Sequence, residues 1–593
     1  MSPYKAPLSD AEFVIRELLK FDQRCEQQGL DEVNSELATV IIEEAGKLAS
    51  GVLAPLNSTG DESGAKLTDN GVQQTEGFAD AYQQFIENGW ATLSGPEEFG
   101  GQALPNLIST AANELWHSAN MAFALCPMLS QGAVEALIAH GSDELKAQYL
   151  PPLISGEWTG TMNLTEPNAG SDLAAVATKA VPQDDHYLIT GQKIFITWGD
   201  HQMTDNIVHL VLARLPDAPA GVKGISLFIV PKFMLDAESN PAELNDVSCV
   251  SLEHKLGIHG SPTCVMSFGD NGGAKGYLVG EENKGLLYMF TMMNHARQSV
   301  GLQGLSISER AYQQAVEYAR DRVQGSRRDG SKIAIVDHPD VRRMLMAMKA
   351  GTESMRALAY TAAADVDTAH ADSENPAANQ RVELLTPIIK GWLTEMAQEL
   401  TSLNIQVHGG MGYIEETGAA QHFRDARILP IYEGTTGIQA LDFIGRKTLL
   451  DQGKALTALH ADIGETVSKL QSADQPELSR IADQLDNSLK QAVKSTEWLL
   501  TESAEHKTVA ATICNEFLML HGYLCGGWMM AASAYEAVQL NGSAQYSESF
   551  LSNKLLTAGF YAGYYLPRVQ AHAETMQTGL SGICEADQEQ LFN

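Results

Sequence analysis

Apolar residues recur at i, i+3, i+4 and i+7 through most of the first 150 positions, as in AEFVIRELLKFDQRCEQ and NSELATVIIEEAGKLASGVLAPL. That period places them on one face of a helix. The Gly- and Pro-bearing stretch LSGPEEFGGQALP (93–105) breaks the pattern and predicts a loop. Helical period returns from Leu107 to Leu150. Near Trp158 the texture changes. HYLITGQKIFIT, NIVHLVLARL, GISLFIVPK and CVMSF are short, β-branched and aromatic, and are separated by Gly, Pro, Asn and Asp. They predict a small β-barrel or sandwich over about 160–280. From about Lys284 helical patterns run to the C-terminus with short breaks. One break is the polar stretch DSENPAANQ (372–380), and another lies near Gly453 after RKTLLDQG. The predicted order is all-α, all-β, all-α and a further all-α segment.

Composition narrows the class. The 593 residues are 44% hydrophobic and 19% charged, an ordinary globular balance spread over three or four domains of ~150 residues. A net charge of −34 repels phosphate backbones and anionic lipid, which argues against nucleic-acid or membrane-surface binding. The acid is uneven: −15 over 1–150, −10 over 151–450 and −9 over 451–593. Seven cysteines at long spacings, with no CxxC pair, fit reduced thiols in a cytosolic protein, and no metal site is expected. No apolar run reaches ~18 residues, so no transmembrane helix is expected. The N-terminal segment has early acids and no basic stretch ahead of an apolar core, unlike a secretory or transit peptide.

Five segments carry candidate chemistry. In MNLTEPNAGSDLAAVATKA (162–180), a strand end opening into a Gly/Ser turn offers N–H groups and hydroxyls to a heterocycle or phosphate, or forms a surface turn. In KIFITWGDH (193–201), Phe195 and Thr197 alternate on one strand and share a face, which could wall a ring system or be half-buried packing. In LNIQVHGGMGYIEE (403–416), Gly409, Gly410 and Gly412 allow close backbone approach to a ligand or another helix, or simply end a helix. No βαβ unit surrounds them, so they are not a dinucleotide fingerprint. In RDARILPIYEGTTGIQALDFIGRK (424–447), Glu433 follows Ile428, Leu429, Ile431 and Tyr432. Partial desolvation there would raise its pKa toward that of a general base; the alternative is a carboxylate serving a helix dipole. Residues 297–349 hold ten Arg and Lys against six acids, a local excess that suits phosphate or a solvated helix face.

Together these segments resemble the acyl-CoA dehydrogenase family. The resemblance covers about 40–450, with NGWATLSGPEEFGG, LTEPNAGSD, KIFIT, LGIHGSPT, VGEENKG, MNHAR, ARDRVQG, QVHGGMGY and RDARILPIYEGTTGIQ in the family's order. It implies a helical N-terminal domain (1–160), a middle β-barrel (161–281), a C-terminal four-helix bundle with the catalytic base (282–449) and an additional helical domain (450–593). It implies flavin adenine dinucleotide (FAD) as cofactor and Glu433 as the base that removes the α-proton of an acyl-CoA thioester. The β-hydrogen would leave as hydride to the flavin, giving a trans-2-enoyl-CoA. Another subgroup places its base beside the arginine of MNHAR, where this chain has Ala296.

The resemblance also assigns contacts. Leu164, Thr165, Phe195 and Thr197 match flavin-ring positions, Arg322 and Gln324 pyrophosphate positions, and Gln406, Gly409 and Gly410 the adenosine end; Thr435 fits a further FAD contact. Ser171, Asn294 and Arg297 match the CoA side. Asn294 replaces a commoner Asp, Phe195 a frequent Trp, Trp198 a frequent Asn and Gly437 a frequent polar residue. In the family some FAD ligands come from a neighbouring subunit, implying a homodimer or larger homo-oligomer, with an electron-transferring flavoprotein as redox partner. Chain length is similar to that of a long bacterial, cytoplasmic subgroup acting on fatty acyl-CoAs or 3-methylmercaptopropionyl-CoA. Met289, Met292 and Met293 could form a soft pocket or pack a helix core. An acyl-CoA oxidase and a flavin-bearing DNA-binding relative share the architecture, although the −9 of the last segment disfavours DNA.

Overall fold

A computed structural model describes residues 3–372, 374–579, 583 and 589–590. They fall into two compact units. One holds 44–105 and 115–299, and the other holds 1–43, 106–114 and 300–593.

The first unit carries the strands. Eight of them, β1 (Trp158–Asn163), β2 (Lys179–Pro182), β3 (Tyr187–Thr197), β4 (Asn206–Ala213), β5 (Ser226–Pro231), β6 (Val247–Leu252), β7 (Thr263–Phe268) and β8 (Ala274–Leu278), form one sheet. The order is β6-β7-β3-β8-β5-β4-β1, with β2 on β3. Only β1 and β4 run parallel; every other pair in this sheet is antiparallel. β4, β5 and β7 are buried at every residue, which is why they read as unbroken apolar runs. Ile189, Ile196, Val211, Phe228, Val230 and Met266 share the core cluster of this sheet. Helix α1 (Met121–His140) packs on β1, where a Cβ at Gly160 would lie 2.6 Å from Ala133 Cβ. By length and composition alone α1 could pass for a membrane span. Its apolar window is 83% buried, so its composition reflects core packing.

The second unit is helical. Its long elements include the C-terminal part of α2 (Gly285–Asp321), then α3 (Pro339–Ala371), α4 (Pro376–His408), α5 (Val509–Gln539) and α6 (Glu548–Tyr564), with helices Lys454–Ser472 and Pro476–Glu505 between α4 and α5. The polar stretch 372–380 is not all loop: α4 opens at Pro376, and Asn375 caps it by accepting from the Ala377 and Ala378 N–H groups. Two small hairpins interrupt expected helical runs, Lys66–Thr68 with Gly71–Gln73 in the first unit and Val323–Ser326 with Lys332–Ala334 in the second.

Beyond 450 the chain shares a core with the bundle. A Cβ on Gly522 of α5 would sit 2.2 Å from the Trp392 ring of α4, and one on Gly391 would meet Leu518 at 2.4 Å. Glycine is what lets the two backbones approach this closely. A buried ion network joins distant segments. Arg356 donates to Glu114 at 2.6–3.1 Å and to Glu309 at 2.7 Å, and also pairs with Asp10. Lys554 of α6 reaches Asp10 and Glu353. Burial pulls Lys554 down to about 7. The six cysteines among the described residues are free thiols; Cys584 lies outside them.

Candidate active site

In the sheet unit, the residues expected at the flavin ring gather at the end of β3. Between Met266 and Cys264 the register of β7 on β3 slips, so Ile194 and Phe195 together oppose Val265. This β-bulge leaves Phe195 in the left-handed region at φ 60 and turns its ring outward, 58% exposed. The simple alternation expected for Phe195 and Thr197 is therefore broken one turn of the pleat earlier. Both still flank the buried Ile196. The Ile194 N–H donates to the Thr165 carbonyl at 2.9 Å, which ties the LTEP segment to the bulge.

A buried ion pair holds that segment in place. Lys193, fully buried, donates to the Leu164 carbonyl at 3.1 Å and to Glu166 at 2.7 Å. Glu166 also accepts from the Ala177 and Thr178 N–H groups and the Thr178 hydroxyl, at 2.7, 3.1 and 2.6 Å. Burial opposes the charge on Glu166, but Lys193 and these donors outweigh it and hold the carboxyl below its usual range. Burial pulls Lys193 down to about 8 despite Glu166. Ser171 and Gly170 are exposed, with nothing within 4 Å of a Cβ built on Gly170. Trp198 is no cleft residue: it is 1% exposed, stacks on Phe78 and donates to the Ala122 carbonyl at 3.0 Å.

Asn294 and Arg297 come together on α2. The Arg297 guanidinium donates to Asn294 Oδ1 at 3.5 Å and lies 5.9 Å from the Phe290 ring. Beside them His295 pairs with Glu135 at 2.9 Å. Burial disfavours its charge, yet Glu135 raises its pKa overall. Met289 and Met292 are fully buried, which is helix packing.

In the helical unit, Glu433 sits in a turn built by buried polar groups. Glu433 (φ 55) and Gly434 (φ 91) are successive left-handed residues. Gln439 Nε2 donates to the Glu433 carbonyl at 3.2 Å, and the fully buried Lys390 donates to the Gly434 carbonyl at 2.6 Å. The Thr436 N–H donates to Pro430 at 3.0 Å and its hydroxyl to Glu395 at 2.6 Å; the Tyr432 hydroxyl donates to Gln303. The Glu433 side chain is half-buried. Thr435 caps the next helix, accepting from the Ile438 N–H at 3.3 Å.

Tyr318 near the end of α2 stacks on His408 at the end of α4, with centroids 4.1 Å apart. This brings the segment beginning at Arg322 and Gln324 together with Gln406, Gly409 and Gly410; all five are exposed. Gly409 and Gly410 have open space where a Cβ would stand, whereas Gly412 packs on the Ile405 backbone. Four of the ten basic residues of the island are paired with carboxylates. Arg327 and Arg342 pair with Asp337, Arg343 with Asp340, and Lys349 with Glu353. Arg322 has no ion pair among the described residues.

These features fit FAD. The exposed Phe195 ring lies near Thr165 and Thr197, whose hydroxyls have no hydrogen-bond partner among the described residues, and a planar heterocycle needs an apolar wall with donors at its edge. The open glycines and unpaired Arg322 suit a nucleotide and its phosphates. Sequence reading missed Glu166, Lys193, Lys390 and Gln439 as anchors. The available signal was a lysine inside an apolar run, KIFI for Lys193 and PIIKGWL for Lys390.

Models described as acyl-CoA dehydrogenase N-terminal, middle and C-terminal domains match 61–157, 161–271 and 283–449, and one described as acetyl-CoA dehydrogenase C-terminal like matches 459–587. The chain belongs to the acyl-CoA dehydrogenase family, oxidoreductases that act on acyl-CoA. It is 47% identical to 3-methylmercaptopropionyl-CoA dehydrogenase of Ruegeria pomeroyi, over 97% of this chain and 98% of that one. It is 34% identical to the broad-specificity linear acyl-CoA dehydrogenase FadE5 of Mycobacterium tuberculosis, over 99% of this chain and all of the relative. Among solved structures, Caenorhabditis elegans ACDH-11 in complex with C11-CoA shares the fold at TM-score 0.79 and 21% identity, covering 98% and 97%. The Bacillus anthracis acyl-CoA dehydrogenase complexed with FAD does so at TM-score 0.75 and 20% identity, covering 95% and 91%.

Proposed function

We propose that this chain dehydrogenates an acyl-CoA thioester at its α,β bond to the trans-2-enoyl-CoA, with FAD as cofactor and Glu433 as base. The observation that carries this reading is the Glu433 turn: a half-buried carboxylate on a left-handed residue whose carbonyl is held by a buried side chain. Bound FAD supplies the acceptor for the β-hydrogen. Glu433 takes the α-proton. That proton is weakly acidic, so the thioester oxygen needs a hydrogen bond as it gains enolate charge. The family resemblance assigns this hydrogen bond to the Glu433 backbone N–H. Leu164, Thr165, Phe195 and Thr197 would hold the flavin ring; Arg322, Gln324, Gln406, Gly409, Gly410 and Thr435 the rest of FAD. Ser171, Asn294 and Arg297 would hold the CoA arm.

The 47% relative favours 3-methylmercaptopropionyl-CoA over a straight fatty acyl-CoA as substrate. An electron-transferring flavoprotein would receive the electrons, and the exposed FAD-side residues at 322–324 and 406–410 fit completion of the site by a second copy. The test is an anaerobic titration of the FAD-loaded protein with 3-methylmercaptopropionyl-CoA and a straight-chain acyl-CoA series. Flavin bleaching is expected, strongest with the methylthio compound. No bleaching by any acyl-CoA would refute the reaction, and peroxide formed in air at substrate stoichiometry would make the protein an oxidase.

A further inference from the structure

We infer that Lys390 and Gln439 are positioning residues for Glu433, a pair of buried donors that fix which way its carboxylate points. The inference rests on the reading of Glu433 as base. Glu433 and Gly434 are successive left-handed residues, so the turn is sharply bent where the carboxylate leaves the backbone. Gly434 adopts its positive φ without cost, but for Glu433 the left-handed angle is strained. Both carbonyls are captured from inside the bundle, Glu433 by Gln439 at 3.2 Å and Gly434 by Lys390 at 2.6 Å.

Each donor is fully buried, and each costs free energy to bury. Gln439 has its Oε1 unsatisfied among the described residues, so its one bond to the turn is its whole polar return. Steric fit adds to this: a Cβ on Gly434 would lie 2.7 Å from Gln439 Nε2, so the amide fills the space glycine leaves. Lys390 lies on α4, the helix that also supplies Glu395 to Thr436. α4 therefore grips the turn on both sides of Thr435. Without the two donors the turn relaxes toward ordinary backbone angles and swings the carboxylate out of line. Misplacement of a reacting group by about 1 Å costs on the order of 100-fold in rate.

The test compares FAD-loaded Lys390→Met and Gln439→Met with the parent, each alone and combined with Glu433→Gln. Single-turnover bleaching by acyl-CoA should slow about 10- to 100-fold in each variant, with the acyl-CoA dissociation constant and bound FAD nearly unchanged. In the Glu433→Gln background neither change should slow bleaching further, because no base remains to be aimed. Amide exchange measured without FAD should quicken at 433–436 in both variants. Bleaching within about twofold of the parent in both, or an equal further loss in the Glu433→Gln background, would overturn the inference. Should Lys390→Met fail to fold, Gln439→Met carries the same test. Full bleaching by Glu433→Gln alone would instead overturn the base assignment on which this rests.

Discussion

Each unit holds one non-glycine residue in the left-handed region at the heart of its candidate site, Phe195 in the sheet and Glu433 in the bundle. Each has a fully buried lysine close by, and the two lysines work differently. Lys193 meets a carboxylate, so its charge is matched and the surrounding loop hangs on an ion pair. Lys390 has a peptide carbonyl among its contacts, and through it holds the backbone of the turn directly. The sheet can distort by a bulge, where partner strands carry the strain, and needs only its loop fixed. The bundle has no ladder near Glu433, so side chains must hold the turn. Strained functional residues of this kind persist where the surroundings over-determine them.

The contrast can be broken from either side. The largest effect is expected from Glu433→Gln, which removes the base while keeping shape and donors. Turnover should fall about 10³-fold with FAD content unchanged, measured by dye reduction. A loss of less than about 10-fold would overturn Glu433 as the base, and with it the bundle side of the contrast.

Next comes Glu166→Leu, which strands the Lys193 charge inside the sheet. Unfolding in urea should lose about 3–5 kcal/mol, and adding Lys193→Met should restore most of it. An additive double variant would mean that the sheet anchor is not a charge pair.

Acid sharpens the comparison further. Burial pulls His201 and His209 of the sheet unit to about 3, and His460 and His521 of the bundle to about 4 and 3. With folded pKa values below 6.5, all four stay neutral when folded. Their contribution to stability is present above pH 6.5 and is lost as pH falls toward 4. His460→Phe should therefore retain about 3 kcal/mol more at pH 4 than the parent, relative to pH 7, in urea titrations of the bundle.

The smallest expected effect is from Phe195→Gly. It relieves the left-handed angle at an exposed residue and should gain about 1 kcal/mol of stability. FAD retention on dilution should weaken. Unchanged retention would remove Phe195 from the flavin wall.

Much of this was legible in the sequence. The switch from helical to strand texture near Trp158 and back near Lys284 follows from side-chain period, which needs no tertiary information. The motifs around Thr165, Phe195, Gly409 and Glu433 stood in order along the chain. What was not legible depends on partners far away in sequence. A bulge at Phe195 exists only relative to β7. The membrane-like composition of α1 is explained by what covers it. Lys390 looks like an interruption of an apolar helix until the 433–434 turn arrives above it. Trp198, which stands where the family often has Asn, is claimed by Phe78 and the Ala122 carbonyl.

The glycines of α5 set a schedule. Trp392 lies on the same helix as Lys390, and its ring packs where Gly522 and Gly526 leave room. The ribosome completes α4 long before it reaches α5, so this tryptophan is made without its cover. During synthesis the helix that steadies the base must wait with an apolar face open, and domains assembled in such stages are the ones that expose sticky surface in the interval. α5 is thus a late-arriving lid on the core, and a nascent chain stopped before Gly522 should need chaperone protection even though every residue of the proposed site has been made.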